Sequence, residues 1–263
     1  DGRDLLKLSE EEKRLARLDE IALVTQAAMN ALNPVMRIED QIIDGLIDHG
    51  YDMSKEQFRR RVRGLLEHVG LDASVARMFP HELSGGMKQR VGMATATALE
   101  PKLIIADEPT SALDVVVQRQ VMTTLGRLQK ETGASVILVG HDMGLIAQFA
   151  DTVGVMYAGK VAELSRVAQI VNDPLHPYSK LLLQSVPGLD AKQERLVSIP
   201  GMPPRLINLP TGCLFAPRCP SAMQHCTEIV PPLADIGDGR QVACHLYGDV
   251  TDPSAGAPTF AEP

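Results

Sequence analysis

The sequence contains no tryptophan, and aromatic residues fill only 3% of its 263 positions. Stacking platforms for single-stranded nucleic acid or sugars are therefore largely excluded. The core must rest on Leu, Ile, Val, Ala and the 11 Met. A basic excess is also missing. Lys+Arg number 26 against 33 Asp+Glu, a net charge of −7 with His neutral, which argues against nucleic acid as a partner. No apolar run approaches the ~18–20 residues of a membrane span. The opening Asp1-Gly2-Arg3-Asp4 is charged, has no apolar stretch of a secretion signal and lacks Met, so it reads like the middle of a gene product. Cysteine is scarce: four residues, all between Cys213 and Cys244. Without an export signal, a metal site is a better expectation for them than disulfides. What remains is 44% hydrophobic and 22% charged, the composition of a soluble globular chain.

The texture changes along the chain. Residues 1–20 suit a turn and a short helix, and Ile21–Thr25 a short strand. Gln26–Pro34 reads as a loop and Ile38–Ile47 as a helix stopped by Gly50. Ser54-Lys55-Glu56-Gln57 is a capping-box pattern that opens a helix ended by Gly70. A further helix runs from Ser84 to about Leu99. Leu103–Ala106 and Ser135–Val139 look like strands buried on both faces. Helices are expected over Val115–Glu131 and Met143–Phe149, and a third strand over Thr152–Tyr157, then a Gly159 turn and Val161–Glu163. This order argues an α/β fold with a parallel sheet and crossover helices. From about Arg166 frequent prolines, among them Pro174, Pro177, Pro200, Pro210 and Pro220, argue a small irregular module. The stretch from Thr251 reads as a loose tail.

The strongest chemical signal is Leu103-Ile104-Ile105-Ala106-Asp107-Glu108-Pro109-Thr110-Ser111-Ala112-Leu113-Asp114. An apolar strand ends in two carboxylates. In nucleotide hydrolases the first holds the Mg²⁺ shell beside the phosphates, and the second polarises the attacking water. Two solvated acids at a strand end are common, but the attached Pro-Thr-Ser-Ala-Leu-Asp makes chance a remote explanation. Ahead of it stands Leu83-Ser84-Gly85-Gly86-Met87-Lys88-Gln89-Arg90. Ser84 is a good N-cap, and two glycines let a phosphate approach bare backbone at the positive end of a helix. A flexible Ser-Gly-Gly linker, the bland alternative, would not run straight into a helix.

Together these stretches resemble the ATP-binding subunits of ABC transporters. The resemblance identifies Ser84, Gly85, Gly86 and Met87 with the signature motif, Met87 standing where many members have Gln. It identifies Asp107 and Glu108 with the Walker B pair and Asp114 with the D-loop that meets a second subunit. His141 matches the switch histidine on the terminal phosphate, and Gln26 the Q-loop glutamine that senses nucleotide and membrane partner. Asn33-Pro34-Val35-Met36 and Pro174-Leu175-His176-Pro177-Tyr178-Ser179 are similar to the oligopeptide/dipeptide importer branch, whose members carry a Pro-rich extension with Cys. The implied organisation is a core remnant with Q-loop (1–35), a helical subdomain with signature (36–100), a catalytic core (101–165) and the C-terminal extension (166–263). The implied ligands are ATP and Mg²⁺. The implied partners are a second ATP-binding subunit, two membrane-spanning permease subunits and, indirectly, an extracytoplasmic solute-binding protein. The implied place is the cytoplasmic face of the membrane, peripherally bound.

Cys213-x5-Cys219-x6-Cys226-x17-Cys244 puts four thiols in a loop-rich module, where a metal or cluster would help fold a segment with little core. The spacing is not the x2–4 pairing of structural zinc. The branch resembled implies a four-iron, four-sulfur cluster, with zinc the alternative and four reduced thiols in a mini-core the bland reading. His225 and His245 adjoin Cys226 and Cys244 and read as bystanders, or else as alternative ligands. Arg59-Arg60-Arg61 reads as a solvated helix face, with contact to a membrane subunit the lesser reading.

No G-x-x-x-x-G-K-[ST] phosphate loop occurs. The expectation is a family member lacking its N-terminal part, with an exposed sheet edge, poor solubility and little power to hold nucleotide alone. The favoured function is the ATP-hydrolysing subunit of a peptide importer. The rivals are a catalytically dead interaction protein and an importer subunit for nickel or another small solute.

Overall fold

Serine caps and apolar periodicity set the first helices. In the computed structural model, which describes residues 3–26, 31–186, 198–207 and 209–247, Ser9 makes both arms of a capping box with Glu12 and opens α1 (Glu10–Asp19). Backbone at Arg17 and Leu18 leaves the helical region and feeds β1 (Ile21–Val24). In α2 (Ile38–Asp48), Ile38, Ile42 and Leu46 recur every four residues and are fully buried. Ser54 caps α3 (Lys55–His68) with both arms of its box: its Oγ accepts from Gln57 N, and Gln57 Oε1 accepts from Ser54 N at 2.8 Å. Such a cap contributes about 1 kcal/mol. Phe58, Val62, Leu65 and Leu66 form its buried stripe. The arginine run on this helix is not uniformly solvated. Arg59 and Arg60 are exposed, but Arg61 is half-buried and donates to Ala98 O at 2.9 Å.

α4 (Gly85–Ala96) stops three residues before Leu99. Thr97 Oγ1 donates back to Met93 O, and Glu100 takes a left-handed φ of 56°, which turns the chain into β2 (Leu103–Asp107). α5 (Val115–Thr132) ends on Gly133 at φ 70°, and β3 (Ser135–Val139) follows. β1, β2 and β3 form a parallel sheet in that order, with Ile21 beside Leu103 and Leu103 beside Ser135. Contrary to expectation, β2 and β3 are not buried on both faces. Ala22, Val24, Ile104 and Ala106 are buried. The other face presents the cross-strand row Leu23–Ile105–Ile137, where Leu23 is 55% and Ile137 50% exposed.

These elements lie in the first of two units, residues 1–141; the second is 142–263. The second opens with α6 (Met143–Phe149) and then departs from the expected parallel continuation. β4 (Thr152–Tyr157) and β5 (Lys160–Arg166) are antiparallel and share a separate four-stranded sheet with β6 (Ala234–Asp235) and β7 (Gln241–Val242). The cause is local. Ala158 and Gly159 both have positive φ, 47° and 81°, so a two-residue turn folds β5 straight back on β4. Two short helices also occupy the Pro-rich stretch: α7 (Val167–Asn172) and α8 (Pro177–Gln184), the latter with proline at its first turn, where no N–H is needed. One core cluster joins Met143, Val153, Val155, Ile170 and Leu183; another joins Tyr157, Ala162 and Phe215. Residues 27–30 of the expected loop and the tail from Thr251 lie outside the described residues.

Candidate functional site

Parallel strands deliver their C-terminal ends to one edge of the sheet, and the candidate residues follow those ends. Gln26 comes just after β1, Glu108 directly after β2 and His141 just after β3. Gln26 Nε2 donates to Glu108 Oε2 at 2.6 Å, and His141 Nδ1 lies 3.2 Å from Glu108 Oε1. Residues 82 and 33 positions away in sequence thus meet on the two oxygens of one carboxylate. Glu108 N donates to Val139 O at 2.9 Å, extending the β2–β3 ladder by one residue. Its φ is +43°, a left-handed conformation that costs a non-glycine residue energy and turns its side chain off the strand axis. Glu108 keeps 27% of its side-chain surface exposed, so a water reaches it. Asp107 is exposed and, among the described residues, its carboxylate has no hydrogen bond or ion pair. A free carboxylate beside the trio fits a Mg²⁺ partner.

Asp114 has a local task. Its Oδ1 accepts from Val117 N at 2.9 Å and caps α5. Ala112 at φ 60° and the Ser111 N to Glu108 O bond of 3.1 Å wind the chain between Glu108 and that cap. Ser84 caps α4, its Oγ accepting from Met87 N at 3.3 Å, and it is exposed. Gly85 and Met87 are half-buried. Gly86 is buried, and a Cβ there would lie 2.4 Å from Val117 Cγ1. Sequence reasoning took both glycines as room for a phosphate. The structure gives Gly86 a packing reason: α4 crosses α5 too closely for any side chain. Among the described residues Ser84, Gly85, Gly86 and Met87 make no hydrogen bond to the trio; the Gly86–Val117 contact ties them to the segment capped by Asp114.

The four cysteines, in the second unit, line one small cavity with His176, Phe215 and His245. All four are free thiols. Burial pushes the thiols of Cys213 and Cys219 up, and Cys244 up to about 11. Neighbouring cysteines add to this, since each thiolate would repel the next. Gly212 makes the approach possible. A Cβ there would lie 2.3 Å from Cys226 O, and Cys213 N donates to that same carbonyl at 2.8 Å. The one signal for it in the sequence is a glycine next to a cysteine. Among the described residues no group of three or more His, Cys, Asp or Glu is arranged to hold a metal ion. His225 stacks edge-on to His245, with ring centroids 4.8 Å apart, and its buried Nε2 has no hydrogen-bond partner among the described residues.

Sequence reasoning missed Glu163. It is fully buried on β5, accepts from Leu175 N and His176 N at 2.9 Å each, and faces Arg240 at 3.7 Å.

Two family descriptions match the chain: "ABC transporter" over residues 1–111 and "Oligopeptide/dipeptide transporter, C-terminal region" over residues 162–226. The oligopeptide transport ATP-binding protein OppD of Salmonella typhimurium is 44% identical over 245 residues, 92% of this chain and 72% of that protein. The dipeptide transport ATP-binding protein DppD of Escherichia coli is 41% identical over 261 residues, 98% of this chain and 78% of that one. Among solved structures, the dimeric MJ0796 bacterial ABC transporter cassette superposes with a TM-score of 0.55 at 33% identity, over 61% of this chain and 68% of that one.

Proposed function

Since the chain belongs to the ATP-binding subunits of oligopeptide/dipeptide ABC transporters, we propose that it drives peptide import through the carboxylate on which Gln26 and His141 converge. That convergence carries the reading. Glu108 is the general base for the attacking water, and Asp107 would hold the Mg²⁺ that neutralises phosphate charge. His141 contacts the terminal phosphate, and Gln26 relays occupancy to the membrane partner. With both oxygens engaged, Glu108 cannot bind a water squarely. A phosphate that recruits His141 frees Oε1, so nucleotide itself arms the base. The exposed Ser84 cap and Asp114 face the second ATP-binding subunit, Ser84–Met87 meeting the nucleotide that subunit holds. The dimer sits on two permease subunits at the cytoplasmic face. Consistent with a peripheral place, no helix among the described residues is long and apolar enough to cross a membrane.

The test is reconstitution with a paired ATP-binding subunit and the permeases in proteoliposomes, reading ATP turnover and uptake of a labelled tripeptide. Glu108→Gln is expected to cut turnover by about 10²-fold or more. Unchanged turnover overturns the assignment, and uptake of Ni²⁺ without peptide reassigns the cargo. Ser84→Arg is expected to lower turnover with the paired subunit as well, since Ser84–Met87 meet the nucleotide that subunit holds.

In the second unit, four thiols line one cavity, and the reading for them is a four-iron, four-sulfur cluster, with one zinc ion the alternative. Such a cluster takes one thiolate per iron, whereas zinc needs its donors on a single point. Cys213, Cys219, Cys226 and Cys244 would hold it. Its positive irons would offset the burial and thiolate repulsion that raise Cys213, Cys219 and Cys244.

A further inference from the structure

A cleft of about 700 Å³ opens in the first unit, lined by none of Gln26, Glu108 or His141. One wall is the end of the α3 segment at Val69 and Gly70, and another is Arg90 of α4. The third is a stripe of α5: Val116, Arg119, Thr123 and Arg127, spaced so that one helix face turns into the cleft. That stripe runs about 16 Å, three helical turns, a groove rather than a socket for one ion.

Its charge is one-sided. Arg90 Nη1 and Arg127 Nη2 both lie within 4 Å of the point where a Gly70 Cβ would stand, so two guanidinium groups are close neighbours. Their internal bonds go to main-chain carbonyls: Arg90 to Gly70 O at 3.0 Å and Gly86 O at 3.3 Å, Arg127 to His68 O. Among the described residues none of Arg90, Arg119 and Arg127 pairs with a carboxylate. In a chain of net charge −7, three guanidinium groups on one cleft without a counter-ion leave a local demand for negative charge. Burial pushes the Arg90 pKa down, as expected of a partly desolvated cation lacking a carboxylate. Beside the arginines stand Val115 and Val116, 79% and 68% exposed. Adjacent exposed valines next to unpaired cations are an anchor for an apolar side chain flanked by acids.

We propose that this cleft docks an acidic polypeptide segment of a partner protein, its carboxylates on Arg119, Arg127 and Arg90 and an apolar side chain on Val115–Val116. A polyphosphate or nucleic acid would use the cations but leave the valines idle, and the lining has no aromatic ring on which a base could stack.

The experiment measures fluorescence anisotropy of short labelled peptides with the full chain: one of alternating Glu and Leu, one with Ser for Leu, one with Gln for Glu. The Glu–Leu peptide should bind best, and Arg119→Glu, at an exposed position outside the nucleotide machinery, should weaken it by about tenfold or more. Arg119→Lys should retain most of the binding, which separates lost charge from lost fold. Hydrogen exchange should show protection confined to residues 69–70, the turn of α4 around Arg90 and residues 115–127. Three outcomes overturn the proposal: Arg119→Glu without effect, equal binding of the Ser-substituted peptide, or inorganic polyphosphate or single-stranded DNA outcompeting the Glu–Leu peptide.

Discussion

Gly86 and Val117 are packed so closely that a single added methyl group at Gly86 would sit 2.4 Å from Val117 Cγ1, but 3.8 Å from its Cβ. The contact joins the helix opened by Ser84 to the helix capped by Asp114. A residue two places into one helix therefore sets the height of the other.

The numbers define a steric rescue. Gly86→Ala should destabilise the first unit by about 1–3 kcal/mol, since a β-branched neighbour cannot swing aside. Val117→Ala removes the colliding methyl and leaves an ordinary contact at Cβ. The double variant should therefore melt above Gly86→Ala alone, with the gain of alanine over glycine in a helix adding to the relief. Thermal unfolding of the four proteins checks this. A Gly86→Ala chain that melts at or above the unsubstituted one removes the packing argument.

Glu163 gives the second unit a comparable test. Its fully buried carboxylate accepts two backbone N–H groups and faces the largely buried Arg240. Glu163→Ala strands both donors and leaves the guanidinium with Asp173 alone, so a loss of about 3–5 kcal/mol is expected. Glu163→Gln keeps an acceptor and should cost less. Urea unfolding ranks the three, and equal stability of the Ala variant would mean that solvent reaches the site.

Much of this architecture could be read from the residues. Ser54 with Gln57, and Ile38, Ile42 and Leu46 at fourfold spacing, state their helices outright, because caps and apolar stripes are local properties. The motif order pointed to Gln26, Glu108 and His141, which the structure brings together because each follows the end of a parallel strand, whereas Ser84 stands at a helix start with no bond to them. What escaped was set by distant partners. Whether Leu23 and Ile137 are covered depends on what packs over the sheet, not on the strand's own letters. The turn at Gly159 was legible; that β4 and β5 leave the parallel sheet was not, because it depends on pairing with β7 at Gln241 and Val242, far along the chain. Gly86 showed its glycine but not Val117, 31 positions on, and Glu163 looked like any solvated acid until the loop at Leu175 closed on it.

The cysteine cavity makes a compositional prediction. Anaerobic purification should give a brown protein with near-equal iron and acid-labile sulfide, and Cys219→Ser should lower both and bleach the visible absorbance. A colourless protein with stoichiometric zinc displaces the cluster. Removing the metal with a chelator should lower the melting temperature of the second unit, because the binding free energy of the metal adds to its folding free energy and is lost with it.

His176 links this unit to pH. Its ring is buried against Phe215, and its Nδ1 accepts from Tyr178 N at the start of α8. Burial pushes its pKa from the ordinary 6.5 down to about 4, a backbone bond at Ala243 opposing in part. The folded chain therefore holds the ring neutral where the unfolded chain would protonate it. The unfolded state binds more protons between those two values, so stability is complete above pH 6.5 and is lost as pH falls toward 4. The slope is at most about 1.4 kcal/mol per pH unit. His176→Asn keeps an acceptor for the Tyr178 amide but has nothing to titrate. It should be less stable than the parent at neutral pH, through lost packing on Phe215, and its stability should change less over that window. Urea midpoints at pH 7, 6 and 5 decide it. Parallel falls in the two proteins would assign the acid sensitivity to other groups and leave His176 a packing residue.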